Sequence, residues 1–254
     1  MTPEFGSPRT AIVTGGAKRI GAEIVRALRA DGWPVLIHCH HSTADAEALA
    51  EQLGEARVVS ADLASADAAE RVFAALDGMA PPGLLVNSAS RFAYDSLQDF
   101  DPAGWDAHLL ANLRGPALLT QAFAAAVPEG QGGLIVNLLD AKLSQPNPDF
   151  FTYTLSKYGL SGLTELSARA LAGQRIRVCG IAPSITLVSG PQSRQSFDAV
   201  HAANALGRGV RVEELVAALR FIIATPTLTG QTLTLDGGLR FLGLPRDIQF
   251  MVPE

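Results

Sequence analysis

The chain has 254 residues, of which 48% are hydrophobic and 18% are charged, and its formal net charge is −5. This composition supports one large hydrophobic core and excludes an extended disordered protein. The acidic balance argues against a nucleic-acid-binding protein, which is usually basic. No apolar run reaches the roughly 18 residues that a membrane-spanning helix needs. The two cysteines, Cys39 and Cys179, are far apart in the sequence, which predicts a reduced, cytoplasmic protein.

Residues 1–9, "MTPEFGSPR", have no apolar period and contain two prolines. They predict a flexible N-terminal arm, and "EFGS" resembles a cloning scar. From residue 10 to residue 254 we expect a single domain, in which apolar runs alternate with segments of helical periodicity. The apolar runs predict strands at 10–14, 34–39, 56–60, 83–87, 133–139, 176–181 and 231–236. The periodic segments predict helices at 19–30, 43–53, 65–76, 105–127, 152–171 and 212–224.

The strand candidates are nearly all apolar, so helices are expected to cover both faces of the sheet. Alternation of strands and helices predicts an α/β fold with a doubly wound sheet of about seven parallel strands. The segment from Ser184 to Arg211 has only weak periodicity. A long segment of this kind is usually a lid or a binding loop, so we expect a substrate lid over about 187–205.

The first strand runs into "TGGAKRIG", Thr14 to Gly21, which opens the first helix. Gly15 and Gly16 permit a tight turn, and Gly21 lets the helix pack close to the strand. The helix N-terminus then presents free backbone N–H groups to a phosphate. A glycine-rich connection without a ligand is the alternative, but the strand–loop–helix context favours a dinucleotide.

After the second strand, the sequence "HCHHS" replaces the acidic residue that usually binds the ribose of NAD. No carboxylate follows until Asp45. Since His40, His41 and Ser42 can donate hydrogen bonds to a 2′-phosphate, and Arg19 adds positive charge, the sequence favours NADP(H) over NAD(H). Solvated histidines are one alternative. A zinc site is another, but neighbouring side chains of a strand face opposite ways and no second ligand cluster follows, so we predict no metal.

Tyr153 and Lys157 are spaced i, i+4 and therefore share a helix face. An ammonium group near a phenol favours the phenolate, so we expect Lys157 to lower the pKa of Tyr153. Asp140 ends the fifth strand. Because the carboxyl ends of parallel strands open on the nucleotide crevice, Asp140 is expected beside the tyrosine.

Five motifs together resemble the short-chain dehydrogenase/reductase family over about residues 10–240: "TGGAKRIG", "NSAS", "LLANLRG", "YTLSK" and "IAPS". The resemblance implies a Rossmann-type single domain and, usually, a homotetramer. It implies that Tyr153 donates a proton, that Lys157 binds the nicotinamide ribose and that Asn112 holds a relay water. It also implies that Asp62 meets the adenine and Thr186 the nicotinamide carboxamide. The further cofactor contacts that it implies are Gly15, Lys18, Ile20, Gly21, Leu63, Asn87, Ala89, Ser90, Pro183 and Ser184.

The chain departs from most of that family at Asp140, where a serine is usual. An ionised carboxylate has no proton to donate, it repels a developing alkoxide, and it raises the pKa of a neighbouring tyrosine where Lys157 would lower it. It suits a substrate with a reacting C=N bond, in which nitrogen gains a proton as carbon gains hydride. The alternative is a strand-end aspartate that caps nearby backbone N–H groups.

One branch of the family carries this change, and the chain is similar to it: the pteridine reductases, with related dihydromonapterin and dihydrofolate reductases. The resemblance implies that Arg19 contacts both the pyrophosphate and the pterin edge. It puts Ser90 beside the cofactor, Phe92 on the pterin face and Phe150 in the pocket wall. It therefore implies an NADPH-dependent reductase of a dihydropterin or dihydrofolate. The alternatives are a general carbonyl or 3-oxoacyl reductase and an NADP-binding regulator without turnover.

Three details remain open in the sequence. His41 replaces an arginine expected beside the 2′-phosphate. Arg194 and His201 fall in the expected lid without an assigned role. The C-terminal residues Phe241, Leu242 and Phe250 are expected to pack either within the subunit or against a partner subunit.

Overall fold

The computed structural model describes residues 9–188 and 194–251. The described residues form one parallel sheet of seven strands in the order β3-β2-β1-β4-β5-β6-β7. The strands are β1 (Thr10–Val13), β2 (Val35–Cys39), β3 (Ala56–Ser60), β4 (Pro82–Asn87), β5 (Gly133–Leu138), β6 (Ile176–Pro183) and β7 (Thr232–Leu235). The predicted doubly wound Rossmann-type sheet is confirmed.

The helices lie where the periodicity predicts them, with two differences. They are α1 (Arg19–Ala30), α2 (Thr43–Leu53), α3 (Ala68–Ala74), α4 (Pro102–Leu109), α5 (Gly115–Ala126), α6 (Phe151–Leu171), α7 (Arg194–Ala202) and α8 (Val212–Ala224). The predicted helix at 105–127 is divided by a π-helical turn, Leu110–Arg114. Such turns are rare and often mark functional positions.

The second difference is α7, which lies inside the segment predicted as an irregular lid. Phe197 and Val200 are both buried and are spaced i, i+3, so a helix brings them to one face. This short apolar period is diluted by polar neighbours, and the sequence prediction missed it. The part of the predicted lid at 189–193 lies outside the described residues.

The predicted N-terminal arm includes Arg9, and the structure contradicts the prediction at this residue. Residues 1–8 lie outside the described residues, but Arg9 is buried. Its guanidinium donates to the Gln131 side chain at 2.8 Å, which ties the entry of β1 to the loop before β5. Arg9 therefore belongs to the domain.

Two apolar layers cover the sheet, because side chains of a strand alternate between its faces. Val13 points to the layer that contains α1 and α8, whereas Ile12 points to the layer formed by α3, α5 and α6. Edge strands β3 and β7 are only partly buried. Among the described residues, no helix has the length and apolarity needed to cross a membrane.

The order of the strands reverses between β1 and β4, which are neighbours in the sheet. The connections from these two strands leave in opposite directions, so a crevice opens at their carboxyl ends. The glycine motif follows β1, "NSAS" follows β4, and Asp140 follows β5. The fold therefore brings two of the five sequence motifs, together with Asp140, to one edge of the sheet.

Candidate active site

A cavity of about 450 Å³ lies at this crevice. Its walls come from the loops after β1, β4, β5 and β6, from the start of α6 and from the C-terminal segment. The predicted site residues that line it are Gly15, Lys18, Arg19, Ile20, Gly21, Ala89, Ser90, Phe92, Asp140, Phe150, Tyr153, Lys157, Pro183, Ser184 and Thr186. The structure thus brings most of the predicted cofactor and substrate residues together.

The glycine loop is shaped by two close backbone approaches. Gly15 has a φ of +63°, and a Cβ at this position would lie 2.9 Å from the Cα of Ala89. A Cβ on Gly21 would lie 2.1 Å from the carbonyl oxygen of Gly15. Among the described residues, no side chain caps the first turn of α1. The start of α1 therefore lies at the crevice without a side-chain cap, the position at which a dinucleotide pyrophosphate meets a helix N-terminus.

His38 supports the glycine loop from beneath, a role that the sequence did not predict. The Gly15 N–H donates to Nδ1 of His38 at 3.3 Å, so Nε2 carries the proton that is donated to the Ala61 carbonyl at 2.9 Å. Burial lowers the pKa of His38 to about 4. The ring is consequently neutral at pH 7, and it links the glycine loop to the ends of β2 and β3.

The region predicted to bind the 2′-phosphate contains more negative charge than the sequence suggested. Asp45 Oδ2 lies 2.9 Å from Lys18 Nζ, although Asp45 is already in the first turn of α2. Asp62 Oδ1 lies 3.9 Å from Nδ1 of His40, whose ring stacks on His41 with 3.5 Å between centroids. The absence of a carboxylate before Asp45 in the sequence therefore does not keep carboxylates away from this region.

Several residues predicted to contact the cofactor lie outside the cavity lining, as far as the described residues form it. They are His40, His41, Ser42, Asp62, Leu63 and Asn87. Asn87 is buried in the sheet, where its side-chain amide donates to Asn137 at 2.8 Å. Asn137 in turn donates to the Thr164 hydroxyl at 2.9 Å. The Asn87 side chain thus joins β4 to β5 and α6 and does not face the cofactor crevice.

Asn112 lies in the π-helical turn and is also buried. Its Oδ1 accepts the Arg91 N–H at 2.7 Å, and its Nδ2 donates to the Arg91 carbonyl at 2.9 Å and to Ser156 Oγ at 3.0 Å. Both amide protons are therefore used within the protein. The side chain connects the loop after β4 to α6, outside the cavity lining that the described residues form.

Tyr153 and Asp140 are in direct contact. The Tyr153 hydroxyl donates to Asp140 Oδ2 at 2.7 Å. The other carboxylate oxygen, Oδ1, accepts the backbone N–H of Lys142 at 2.8 Å. The aspartate thus makes both interactions that the sequence left as alternatives: one oxygen caps the backbone turn after β5, and the other meets the phenol.

Lys157 completes this group from the next turn of α6. Its Nζ donates to the Leu138 carbonyl at 2.7 Å and lies 5.7 Å from the centre of the Tyr153 ring. Burial lowers the pKa of Lys157 to about 8, against the opposing effect of Asp140. The ammonium is therefore held at the end of β5, within reach of the phenol but not bonded to it.

The pKa of Tyr153 is shifted in the direction predicted for a neighbouring Asp140 carboxylate, and not in the direction predicted for Lys157. Burial of the phenol, and next the charge and hydrogen bond of Asp140, raise its pKa well above the usual value. The prediction that Lys157 lowers this pKa is wrong, because the nearest charge is the carboxylate and not the ammonium. Tyr153 is a neutral phenol that holds its proton.

Aromatic rings form the wall beside the phenol. Phe92 stacks on Phe150 with 4.4 Å between ring centroids, and Tyr153 meets Phe92 edge-on at 4.7 Å. Phe92 remains 48% exposed, whereas Phe150 is buried. Phe150 adopts a φ of +53°, which is unusual for a bulky residue.

The C-terminal segment lines the cavity of its own subunit through Asp247, Ile248 and Gln249, which sequence reasoning missed. Phe250 also packs within the subunit, 5.4 Å from Tyr94 between ring centroids. Phe241, however, is 70% exposed in the single chain.

The lid residues left open in the sequence do not enter the cavity lining that the described residues form. His201 bonds the Val210 carbonyl at 2.9 Å and stacks on Phe197. The side chain of Arg194 lies outside the described part of the chain.

Replacing Asp140 by asparagine should lower the pKa of Tyr153, because an uncharged amide no longer repels the phenolate. The shift is measured by following tyrosinate absorbance across alkaline pH, with the Asp140→Asn/Tyr153→Phe double variant subtracted. Tyr158→Phe removes an exposed phenol and serves as the control, which should leave this shift unchanged. A pKa of Tyr153 that is unchanged or higher in Asp140→Asn would contradict the interaction between the Tyr153 phenol and the Asp140 carboxylate.

The chain is similar to many known proteins, including the following three. The chain is 32% identical to pteridine reductase 1 of Leishmania tarentolae, over 94% of its own length and 98% of that protein. It is 28% identical to a 3-oxoacyl-(acyl-carrier-protein) reductase of Synechocystis, over 91% and 96% of the two chains. Its fold matches FolM Alternative dihydrofolate reductase 1 from Brucella suis, solved in complex with NADP, with a TM-score of 0.88 at 40% identity, over 92% and 95% of the two chains.

The family model described as short chain dehydrogenase matches residues 9–198, well over half of the chain. This region contains the glycine loop, Asp140 and the Tyr153–Lys157 pair, which meet in the cavity at the switch point of the sheet. The predicted family and the predicted likeness to pteridine reductases are confirmed. The chain belongs to the short-chain dehydrogenase family of oxidoreductases.

Proposed function

We propose that this protein is an NADPH-dependent reductase of a reduced pterin, such as a dihydropterin or dihydrofolate. The observation that carries the proposal is the hydrogen bond from the Tyr153 hydroxyl to Asp140 Oδ2 at 2.7 Å, on the wall of the cavity. The similarity to a pteridine reductase and to an alternative dihydrofolate reductase supports it.

The glycine loop fits a dinucleotide, because side chains at Gly15 and Gly21 would fill the space beside the uncapped first turn of α1. The B. suis neighbour binds NADP, which supports the same cofactor here. When bound, NADPH supplies the hydride that reaches the carbon of a C=N bond. Lys18 and Arg19 would hold its phosphates, Lys157 its nicotinamide ribose and Thr186 its carboxamide.

Tyr153 is suited to deliver the proton that the ring nitrogen gains. Its raised pKa keeps the phenol protonated until the substrate arrives, but it also makes the phenol a weak acid, so the phenol oxygen must regain a proton as it gives one up. A phenolate left beside an ionised Asp140 would be strongly disfavoured. We therefore assign Asp140 the second position in a relay: as Tyr153 gives its proton to nitrogen, a proton taken up by Asp140 from water passes to the phenol oxygen.

Asp140 also distinguishes this proposal from the alternative, a general carbonyl reductase. The similarity to a 3-oxoacyl reductase favours that alternative. Ketone reduction, however, builds negative charge on oxygen, and a carboxylate 2.7 Å from the phenol opposes that charge. Reduction of a C=N bond produces an N–H group, from which the same carboxylate can accept a hydrogen bond.

The function is tested by the oxidation of NADPH in the presence of dihydrobiopterin, dihydromonapterin or dihydrofolate. We expect turnover of at least one of them, and faster than that of any member of a panel of ketones and 3-oxoacyl thioesters. Asp140→Ser should lose at least about 100-fold in kcat/KM for the pterin, in the range of a general acid–base contribution. Its NADPH affinity, measured by fluorescence titration, should change little.

Two results would contradict the proposal. Absence of turnover on all three reduced pterins would count against the function. An equal loss of pterin activity and NADPH affinity in Asp140→Ser would count against the role of Asp140. NADPH binding without oxidation by any substrate would instead support a regulatory protein.

The Lys18–Asp45 pair gives a second prediction about the cofactor. Because Asp45 neutralises a lysine that the 2′-phosphate needs, Asp45→Asn should tighten NADPH binding. Both groups are about half exposed, so the gain should be small, about two- to fivefold. NADH lacks the 2′-phosphate and is the internal control. Equal effects on NADPH and NADH affinity would contradict a 2′-phosphate position beside Lys18.

We also propose a homotetramer in the cytoplasm. Exposed apolar side chains on α6, Leu155 and Leu166, and Phe241 in the C-terminal segment support assembly. Cys39 and Cys179 are both free and buried, which fits a reducing compartment. The proposal includes no nucleic-acid or membrane partner. A light-scattering mass equal to that of one 26.7 kDa chain would contradict the tetramer.

A further inference from the structure

A short C-terminal segment, residues 244–250, is fixed against the cavity by one buried carboxylate. Asp149 accepts the Nε–H of Arg246 at 2.9 and 2.8 Å through its two oxygens, and it also accepts the backbone N–H of Asp247 at 2.7 Å. The Asp149 side chain is only 4% exposed. These contacts set the position of Asp247 on the cavity wall.

Asp247 faces Lys142, which comes from the turn after β5. Lys142 Nζ lies 3.5 Å from Asp247 Oδ2 and also donates to the carbonyl of Asp149. The two side chains are 9% and 19% exposed, and both line the cavity. An ammonium and a carboxylate this deeply placed stabilise each other, because either one alone would be a poorly solvated charge.

The Lys142–Asp247 pair adds no net charge to this wall, and the Lys157 ammonium lies in the same lining as Asp140. Asp140 and Asp247 are carboxylates, and Lys142 is the ammonium between them in sequence and in the cavity lining. The nearby Arg240–Asp236 pair, with 2.8 Å between Nη1 and Oδ1, adds no net charge. Because Lys142 is already paired with Asp247, it offers little unpaired positive charge to a substrate carboxylate.

We infer that Lys142 and Asp247 determine substrate specificity, and that they select a reduced pterin with an uncharged side chain over a folate. This inference rests on the proposed function and names the substrate class for the same cavity. The glutamate of a folate carries two carboxylates, whereas the side chain of the selected pterin carries none. Because the Lys142 ammonium is already paired with Asp247, it is less able to bind the carboxylates of the folate glutamate.

The test compares kcat/KM for dihydrobiopterin and for dihydrofolate in the same enzyme preparation, so that the readout is their ratio. Asp247→Asn leaves Lys142 without its carboxylate partner. We expect the ratio to shift toward dihydrofolate by about tenfold. Lys142→Met removes the ammonium of the Lys142–Asp247 pair, and the ratio should shift toward dihydrobiopterin. The double variant should return close to the wild-type ratio, because the pair is neutral as a whole.

Glu165→Gln is the matched control. It removes a carboxylate from the exposed face of α6, where Glu165 pairs with Arg169, so it makes the same change in net charge away from the cavity. We expect this variant to keep the wild-type ratio. A shift in Glu165→Gln as large as that in Asp247→Asn would overturn the inference, because total charge and not the pair would then control selectivity.

The remaining outcomes separate this inference from the proposed function. If Asp247→Asn only loosens the C-terminal segment, both substrates should lose kcat/KM together and the ratio should stay constant, which would overturn the role in specificity alone. A wild-type preference for dihydrofolate would also overturn it alone. Absence of wild-type turnover on both substrates would overturn the inference together with the proposed function.

Discussion

The chemistry that we propose for this site depends on one hydrogen bond, from a phenol to a carboxylate. Tyr153 donates to Asp140 at 2.7 Å, and burial together with the carboxylate keeps that proton on the phenol by raising its pKa. Within the family that the chain resembles, a serine usually stands in place of Asp140 and offers a hydroxyl to a carbonyl oxygen. Here the neighbouring group accepts a hydrogen bond and does not offer one, and our proposal that the site protonates nitrogen rests on this difference.

The fold serves this contact by fixing both partners to rigid elements. Asp140 follows β5, a central strand, and its second oxygen is occupied by the backbone of Lys142. Tyr153 is in the first turn of α6, and Lys157 is tied to the end of β5 through the Leu138 carbonyl. On the cofactor side, His38 accepts the Gly15 N–H of the glycine loop and donates to the Ala61 carbonyl, from a ring that burial keeps neutral. Hydrogen bonds to the ends of strands thus fix both the catalytic side and the cofactor side of the crevice.

Sequence reasoning found the fold and most of the cavity because both follow from local signals. Seven apolar runs give seven buried or partly buried strands, and a parallel sheet brings their carboxyl ends together. What it missed depends on tertiary contact. The pKa of Tyr153 is set by burial, which no motif displays, and Asp45 meets Lys18 only because α2 packs beside α1. The Asp247–Lys142 pair spans 105 positions in the chain and exists because Asp149 fixes the C-terminal segment.

The left-handed backbone at Phe150 links the end of the chain to the start of the catalytic helix. A bulky residue in this conformation stores of order 1–3 kcal/mol of strain, which surrounding contacts must hold in place. Those contacts are the rings of Phe92 and Tyr94, at 4.4 and 5.2 Å between centroids, and that of Phe250, at 6.0 Å. Phe150 immediately precedes α6, so the direction in which that helix leaves the turn is set by an aromatic stack that includes the tail. Removing Phe250 would therefore take away one contact that holds the strained backbone at Phe150, three residues before Tyr153. The start of α6 could then shift, although Phe250 itself does not touch Tyr153 or Asp140 in the contacts described above.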